Sequence, residues 1–191
     1  MKKGFVFIMA ASLLMVASCK KKGCTDPIAV NYSTEAEKDD GSCNYELTTI
    51  YITEDITENT TWTANYIYVI DKYSLNITDN AILTIEPGTS IRVNDGNEIT
   101  VSYGGDNGRI IANGTAENPI VFTSNSAVKE PGKWDGIWIY TGGDNCEFDY
   151  CIFEYGSDDW NEGTGALNFI GGENAIVKHS IFRYNKLGLR T

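Results

Sequence analysis

The residues best equipped for chemistry are acidic. Asp158, Asp159 and Glu162 lie close together with Trp160 among them, after Gly156-Ser157. Paired carboxylates can serve as acid and base on a glycosidic bond, and an aromatic face beside them can stack on a sugar. The other reading, which is preferred, is a solvated acidic loop with Trp160 packed on the chain beneath it. A second set, Asp26, Asn31, Asp39 and Asp40, offers hard oxygen donors in one short loop, the ligand type calcium takes. It does not follow the twelve-residue EF-hand pattern, and the same residues cap turns through their side chains. Calcium is the one cofactor these residues suggest. Trp134, Trp138 and Trp160 are candidates for a ligand-binding aromatic face. No serine nucleophile elbow, zinc spacing or phosphate loop is present.

These residues need a scaffold, and composition bounds it. The chain has 191 residues, enough for one domain with small attachments. Its 15 Lys+Arg and 26 Asp+Glu give a net charge of −11. Five of the basic residues precede Asp26 and no acidic residue does, so from Cys24 onward the count is 10 against 26, or −16. That argues against nucleic acid as a partner, whose phosphates reward Lys and Arg clusters. It also argues against adhesion of the folded part to anionic lipid. The middle of the chain is rich in Thr, Ile, Asn and Gly, a β-forming habit, and a helical bundle is excluded.

The N-terminus reads as an address. Lys2 and Lys3 precede Gly4 to Val16, an uncharged and mostly apolar run of 13 residues. A membrane-spanning helix needs about 20, so this is a signal core. Val16-Ala17-Ser18-Cys19 resembles the lipobox of bacterial lipoproteins. The resemblance implies a signal peptide over 1–18, lipidation of Cys19 and a tether over 19–23 in which Lys20-Lys21-Lys22 is a solvated spacer. The alternative is an ordinary cleaved signal with an incidental Cys. One acyl chain binds membranes marginally and several bind stably. The expectation is a protein of the Gram-negative cell envelope, held to the outer membrane through its lipid anchor only, with the periplasmic or surface face left open.

Four Cys remain after Cys19, and export places them where disulfides persist. Cys24-Thr25-Asp26-Pro27, Ala29-Val30-Asn31-Tyr32 and Asp39-Asp40-Gly41-Ser42-Cys43 resemble a short module repeated in many secreted bacterial proteins. The resemblance implies a disulfide-closed module over 24–45, with Cys24 bonded to Cys43. A bond closing a loop of this size stabilises by roughly 3 kcal/mol in the chain-entropy model.

Residues 46–191 show alternating strand patches separated by Gly and Asn-Gly signals, with no convincing amphipathic helix. An internal repeat sets the architecture. GIWIYTGGDNCEFDYCIFEY (136–155) matches GALNFIGGENAIVKHSIFRY (165–184) at an offset of 29. Gly188 lies 23 beyond Gly165, so the basic coil is near 23 and the 29 holds the insertion Gly156 to Glu162. Such a period of strands and turns suggests a β-solenoid, whose coils share one core by stacking. Local alternation points Ile137 and Ile139 inward and Trp138 and Tyr140 outward, whereas the offset of 29 pairs Trp138 with the inward-looking Leu167. A one-residue bulge would reconcile them. The repeat aligns His179, the single histidine, with Tyr150 on a strand, which reads as a surface position. Cys146 and Cys151 are either free buried thiols or a disulfide.

Thr60-Thr61-Trp62-Thr63, Leu83-Thr84-Ile85-Glu86-Pro87-Gly88-Thr89, Asn113-Gly114-Thr115-Ala116-Glu117-Asn118-Pro119-Ile120 and Trp134-Asp135-Gly136-Ile137 together resemble right-handed parallel β-helix proteins of the pectate-lyase-like type. The resemblance implies an all-β, right-handed parallel β-helix over 46–191. It implies no single reaction, since this fold hosts lyases, hydrolases, esterases, adhesins and scaffolds. Polysaccharide lyases of this fold use Asp-held calcium and an Arg or Lys base; Arg92, Arg109, Lys133 and Arg183 are present, but none stands in a matching motif. The coil beginning near Asn185 stops at Thr191 without an amphipathic cap, so the expectation is a chain that continues. The leading functional reading is a non-enzymatic, lipid-anchored envelope protein that binds polysaccharide or another surface component. The alternatives are a polysaccharide lyase or glycoside hydrolase and a scaffold for a downstream domain.

Overall fold

The computed structural model describes residues 20–157 and 163–191. The signal-peptide, Cys19 and acidic-loop expectations (Asp158, Asp159, Trp160, Glu162) lie outside the described residues. The chain divides into two compact units, Met1–Glu46 and Leu47–Thr191. No helix occurs among the described residues.

In the first unit, β1 (Lys22–Gly23) pairs in parallel with β2 (Lys38–Asp39). Cys24 and Cys43 are bonded, with an S–S distance of 2.11 Å. The polar residues between them shape the turns. Asp26 Oδ1 accepts from the Ile28 amide at 3.1 Å, Asp39 Oδ1 from Gly41 at 3.1 Å and Asp40 Oδ1 from Ser42 at 3.1 Å. Asn31 bridges two chain segments, donating to the Ser42 carbonyl at 2.6 Å and accepting from the Asn44 amide at 2.7 Å. A segment this small cannot hold itself by apolar burial. The cross-link and these side-chain caps take that role.

The second unit is a parallel β-helix of three sheets. One contains β3 (Thr48–Ile52), β5 (Tyr66–Ile70), β8 (Ser90–Val93), β11 (Ile120–Ser124), β14 (Cys151–Glu154) and β17 (Ile181–Arg183). The second contains β4 (Thr60–Trp62), β7 (Ala81–Ile85), β10 (Gly108–Asn113), β13 (Glu147–Asp149) and β16 (Ile176–Lys178). The third contains β6 (Ser74–Ile77), β9 (Glu98–Val101), β12 (Ile137–Ile139), β15 (Leu167–Phe169) and β18 (Leu189–Arg190). Within each sheet, every pairing is parallel and joins one coil to the next.

The period-2 pattern of apolar residues builds the interior. Ile137 and Ile139 are fully buried, as are Ile91, Phe122 and Phe153. Like residues then stack coil on coil. Phe122 lies 5.1 Å from Phe153 with rings 3° apart, and Phe153 lies 4.7 Å from Phe182 with rings 7° apart. Offset aromatic stacking adds to the area each ring buries.

The repeat is legible at the corners. Asn145 and Asn174 have φ of 57° and 56°, Tyr150 and His179 have 47° and 48°, and Tyr155 and Tyr184 have 61° and 58°. Left-handed backbone costs an L-residue about 1–2 kcal/mol, and ring stacking offsets part of it. Tyr150 stacks on His179 at 4.6 Å and Tyr155 on Tyr184 at 5.5 Å. This corrects the placement of Tyr150 and His179 on strands. They occupy the bend between two sheets, where a single left-handed residue turns the chain from β13 to β14 and from β16 to β17.

The bulge is real. Ile152 faces Ile181 at an offset of 29, but Ile137 faces Leu167 and Trp138 faces Asn168, at 30. Asn168 accommodates the extra residue. Its side chain accepts from the Gly165 amide at 2.7 Å and donates to the Gly165 carbonyl at 2.7 Å. Beneath it runs a glycine column. A Cβ on Gly136 would sit 2.6 Å from the Gly165 carbonyl oxygen, and one on Gly165 would sit 2.6 Å from that of Gly188. Only hydrogen fits where coils approach this closely.

Cys146 and Cys151 are free, buried thiols. Cys146 Sγ accepts from the Ile110 amide at 3.4 Å, and the Cys151 thiol donates to the Ala112 carbonyl at 3.3 Å. Burial pushes their pKa values up to about 11 and about 12.

Candidate functional site

The outer face of the β6–β9–β12–β15–β18 sheet carries the arrangement best suited to a ligand. Asn76, Thr100, Trp138, Asn168 and Arg190 follow one another across it in register. Thr100 and Asn168, on either side of Trp138, are buried although they occupy an outer row. Thr100 donates to Asn76 Oδ1, and Asn168 is held by Gly165. Satisfied polar neighbours of this kind flank the aromatic side chain within its row.

Trp138 points outward because Ile137 and Ile139 point in. Its ring is half-buried, and Nε1 donates to the Asp135 carbonyl at 2.9 Å, which sets its orientation. Tyr140, two residues on, projects to the same side. Its ring centroid is 6.5 Å from that of Trp138 with the planes 15° apart. Tyr103 meets Tyr140 edge-on at 5.2 Å and 74°, and is 62% exposed. Burial, then the charge of Glu98, raises the Tyr140 pKa, so its hydroxyl stays a proton donor through the neutral range. Two nearly parallel rings with an exposed phenol set edge-on beside them form an outward aromatic cluster with hydrogen-bonding edges, a surface against which a sugar face can pack.

The other aromatic candidate requires correction. Trp134 is fully buried and presents no face to solvent. Its Nε1 donates to the Glu154 carbonyl at 2.8 Å, and it is bridged to Gly156, where a Cβ would sit 3.1 Å from the indole. A glycine opposite the ring makes room for it inside the coil. Trp134 is a core residue.

Ser157 Oγ donates to the Thr164 carbonyl at 2.6 Å, and both residues are buried. Asp158, Asp159, Trp160 and Glu162 fall between Ser157 and Thr164 in the sequence, outside the described residues.

The candidate bases are dispersed. Arg183 is held by Glu154 at 2.5 Å on the six-stranded sheet, and Lys133 lies 3.7 Å from Asp95 and 3.6 Å from Glu130. Arg109 borders a cavity of about 300 Å³ with Asn80, Asn107 and Asp144. Arg92 projects from β8. The expected calcium donors are used in shaping turns. Asp26 Oδ2 accepts from the Tyr45 hydroxyl at 2.8 Å, and the other Asp26 oxygen, Asn31, Asp39 and Asp40 are engaged in turns. Among the described residues, no group of three or more His, Cys, Asp or Glu is placed to hold a metal ion.

The sequence pointed to Trp138 and to the outward side of Tyr140, but not to Tyr103. Its signal was faint, an aromatic between Ser102 and the Gly104-Gly105 turn. Comparison with curated proteins and with solved structures finds no match. The family model described as a pectate-lyase like beta helix domain matches residues 54–175, which span most of the three-sheet coil, and the chain belongs to that family.

Proposed function

We propose that this is a lipid-anchored protein of the Gram-negative cell envelope that binds polysaccharide without cleaving it. The observation that carries the reading is the outward Trp138–Tyr140–Tyr103 cluster, with Trp138 flanked in its row by buried Thr100 and Asn168. Family membership supports a carbohydrate-related role. The lipobox-like Val16-Ala17-Ser18-Cys19 supports attachment to the outer membrane through Cys19. The net charge of −16 from Cys24 onward supports a partner other than nucleic acid.

A glycosidase needs one carboxylic acid with a raised pKa, and the acids named for that role, Asp158, Asp159 and Glu162, lie outside the described residues. The displaced acids among the described residues serve structure, and each is displaced downward. Asp40 is lowered by its hydrogen bonds with Ser42. At Asp55, burial pulls upward but hydrogen bonds from Lys72 and Asn76 outweigh it; at Asp149, burial is outweighed by His179 and Lys178.

The test is to incubate the full chain with neutral and acidic polysaccharides, with calcium and with chelator, and to follow polymer size and co-elution together. Co-elution at unchanged polymer size is expected, and Trp138→Ala is expected to weaken it by about tenfold or more, as loss of a central aromatic anchor does. Shortened polymer would overturn the reading and direct attention to Asp158, Asp159 and Glu162.

A further inference from the structure

We propose a second binding site on the outer face of the six-stranded sheet, for a sugar that carries an oxyanion. A cavity of about 480 Å³ lies there, bordered by Ser90, Arg92, Thr123, Asn125, Lys129 and Tyr155. It is a different sheet from that of Trp138. The site does not depend on the aromatic cluster.

Charge is the first argument. The chain from Cys24 onward carries −16, yet the two cations in this cavity keep free bonding capacity. Among the described residues, no ion pair or hydrogen bond engages the Arg92 guanidinium. Lys129 donates to the Ser124 carbonyl and lies 5.7 Å from the Tyr155 ring centroid. An ammonium has three donors, so two remain. The one carboxylate at the cavity wall is already occupied. Glu154 Oε1 accepts from Arg183 Nε at 2.6 Å, and Oε2 accepts from Thr123 Oγ1 at 3.1 Å. The neighbouring acids Asp95 and Glu130 face Lys133. Glu154 is thus directed at Arg183 and Thr123, and among the described residues no carboxylate forms an ion pair with Arg92 or Lys129.

Shape and chemistry are the second argument. A guanidinium presents a planar fork that matches carboxylate, sulfate or phosphate oxygens, and an ammonium adds a point charge beside it. Thr123 Oγ1 spends its proton on Glu154 and keeps lone pairs for a ligand hydroxyl. Ser90 and Asn125 add further donors and acceptors, and Tyr155 gives an apolar ring surface. The cavity pairs an anion pole with a hydroxyl-binding wall.

The experiment is calorimetric titration of the full chain at low salt with glucuronic acid, glucose 6-phosphate, glucose 6-sulfate and glucose. The anionic sugars are expected to bind and glucose is not, with binding weakening as salt rises. The order among the three identifies which oxyanion the site prefers. The double variant Arg92→Gln, Lys129→Gln is expected to lose at least about tenfold in affinity for each anion, with its unfolding midpoint unchanged because both side chains lie at the surface. Trp138→Ala is expected to leave these affinities intact, which separates this site from the polysaccharide cluster. Glucose binding as tightly as the anions, or the double variant binding like the parent, would overturn the proposal.

Discussion

Replacing Phe153 with Ala should cost far more stability than replacing Phe182 with Ala, although both belong to one aromatic stack. Phe153 is fully buried and touches three rings: Phe122 at 5.1 Å, Phe182 at 4.7 Å and Phe148 at 5.8 Å. Phe182 is half-buried and, among the described residues, stacks on Phe153 alone. Phe→Ala in a closed core costs about 3–5 kcal/mol, and each ring pair contributes about 0.5–1.5 kcal/mol beyond its area. Phe153→Ala, with a cavity sealed on both sides, belongs at the top of that range, about 5 kcal/mol. Phe182→Ala loses part of its burial and one pair, about 2 kcal/mol. A domain stable by about 5–15 kcal/mol feels the first change as a third or more of its stability. The assay is urea unfolding followed by tryptophan emission. Trp134 is a built-in reporter, since its Nε1 bonds the carbonyl of Glu154, next to Phe153. Equal costs for the two variants would refute the reading of the core as a stack whose strength comes from neighbours on both sides.

Four further outcomes follow from the same structure. Native Cys146 and Cys151 should resist alkylation at pH 7 and react on unfolding, because burial holds their pKa values near 11 and 12 and keeps the reactive thiolate scarce; mass spectrometry before and after denaturant checks this. Asp149 has a lowered folded pKa, so its contribution is present above the unfolded value of about 3.9 and is lost as pH falls below it. Asp149→Asn should accordingly flatten the acid limb of the stability curve below about pH 4, read by urea unfolding from pH 3 to 7. Gly165→Ala should fail to accumulate as folded protein, since its Cβ would meet the Gly188 carbonyl oxygen at 2.6 Å, and circular dichroism would show the loss. Cys19→Ser should move the chain out of the membrane fraction and abolish acyl labelling in cells.

The coil was legible because its period survives in the sequence. Gly136, Gly165 and Gly188 mark places where one coil's backbone lies against the next, and side chains there are forbidden by contact, not by preference. Leu83-Thr84-Ile85 and Ile137-Trp138-Ile139 announce inward and outward faces by alternation alone. The side of Trp134 was not legible. It precedes β12 outside the alternating run, and its burial depends on Gly156 opposite it, in the adjacent coil. His179 and Tyr150 read as strand residues because the repeat aligns them with each other inside strand-like runs. Their left-handed φ values come from the bend geometry, which no local propensity reveals. The Arg92–Lys129 cavity was invisible for the same reason, since β8 and the segment after β11 meet only when the coils stack.

The two proposed sites share an architectural cause. The corner leading from the six-stranded sheet to the Trp138 sheet is short between β8 and β9, residues 94–97, but long between β11 and β12, residues 125–136, and between β14 and β15, residues 155–166. The corner between β13 and β14 is one residue, Tyr150. Strand pairing fixes the coil's cross-section, so the extra residues of 125–136 are taken up at this corner. The 125–136 segment supplies Asn125 and Lys129 to the cationic cavity, and its end supplies Asp135, whose carbonyl orients Trp138. The 155–166 segment supplies Tyr155 to that cavity, and within it Ser157 bonds the Thr164 carbonyl. One insertion therefore serves two faces from its two ends. Shortening it within 126–132, away from Trp134 and Asp135, should weaken the binding of anionic sugars while the aromatic cluster and its polysaccharide affinity persist. If polysaccharide affinity fell equally, the two faces would be one continuous surface, and the assignment of separate sites would fail.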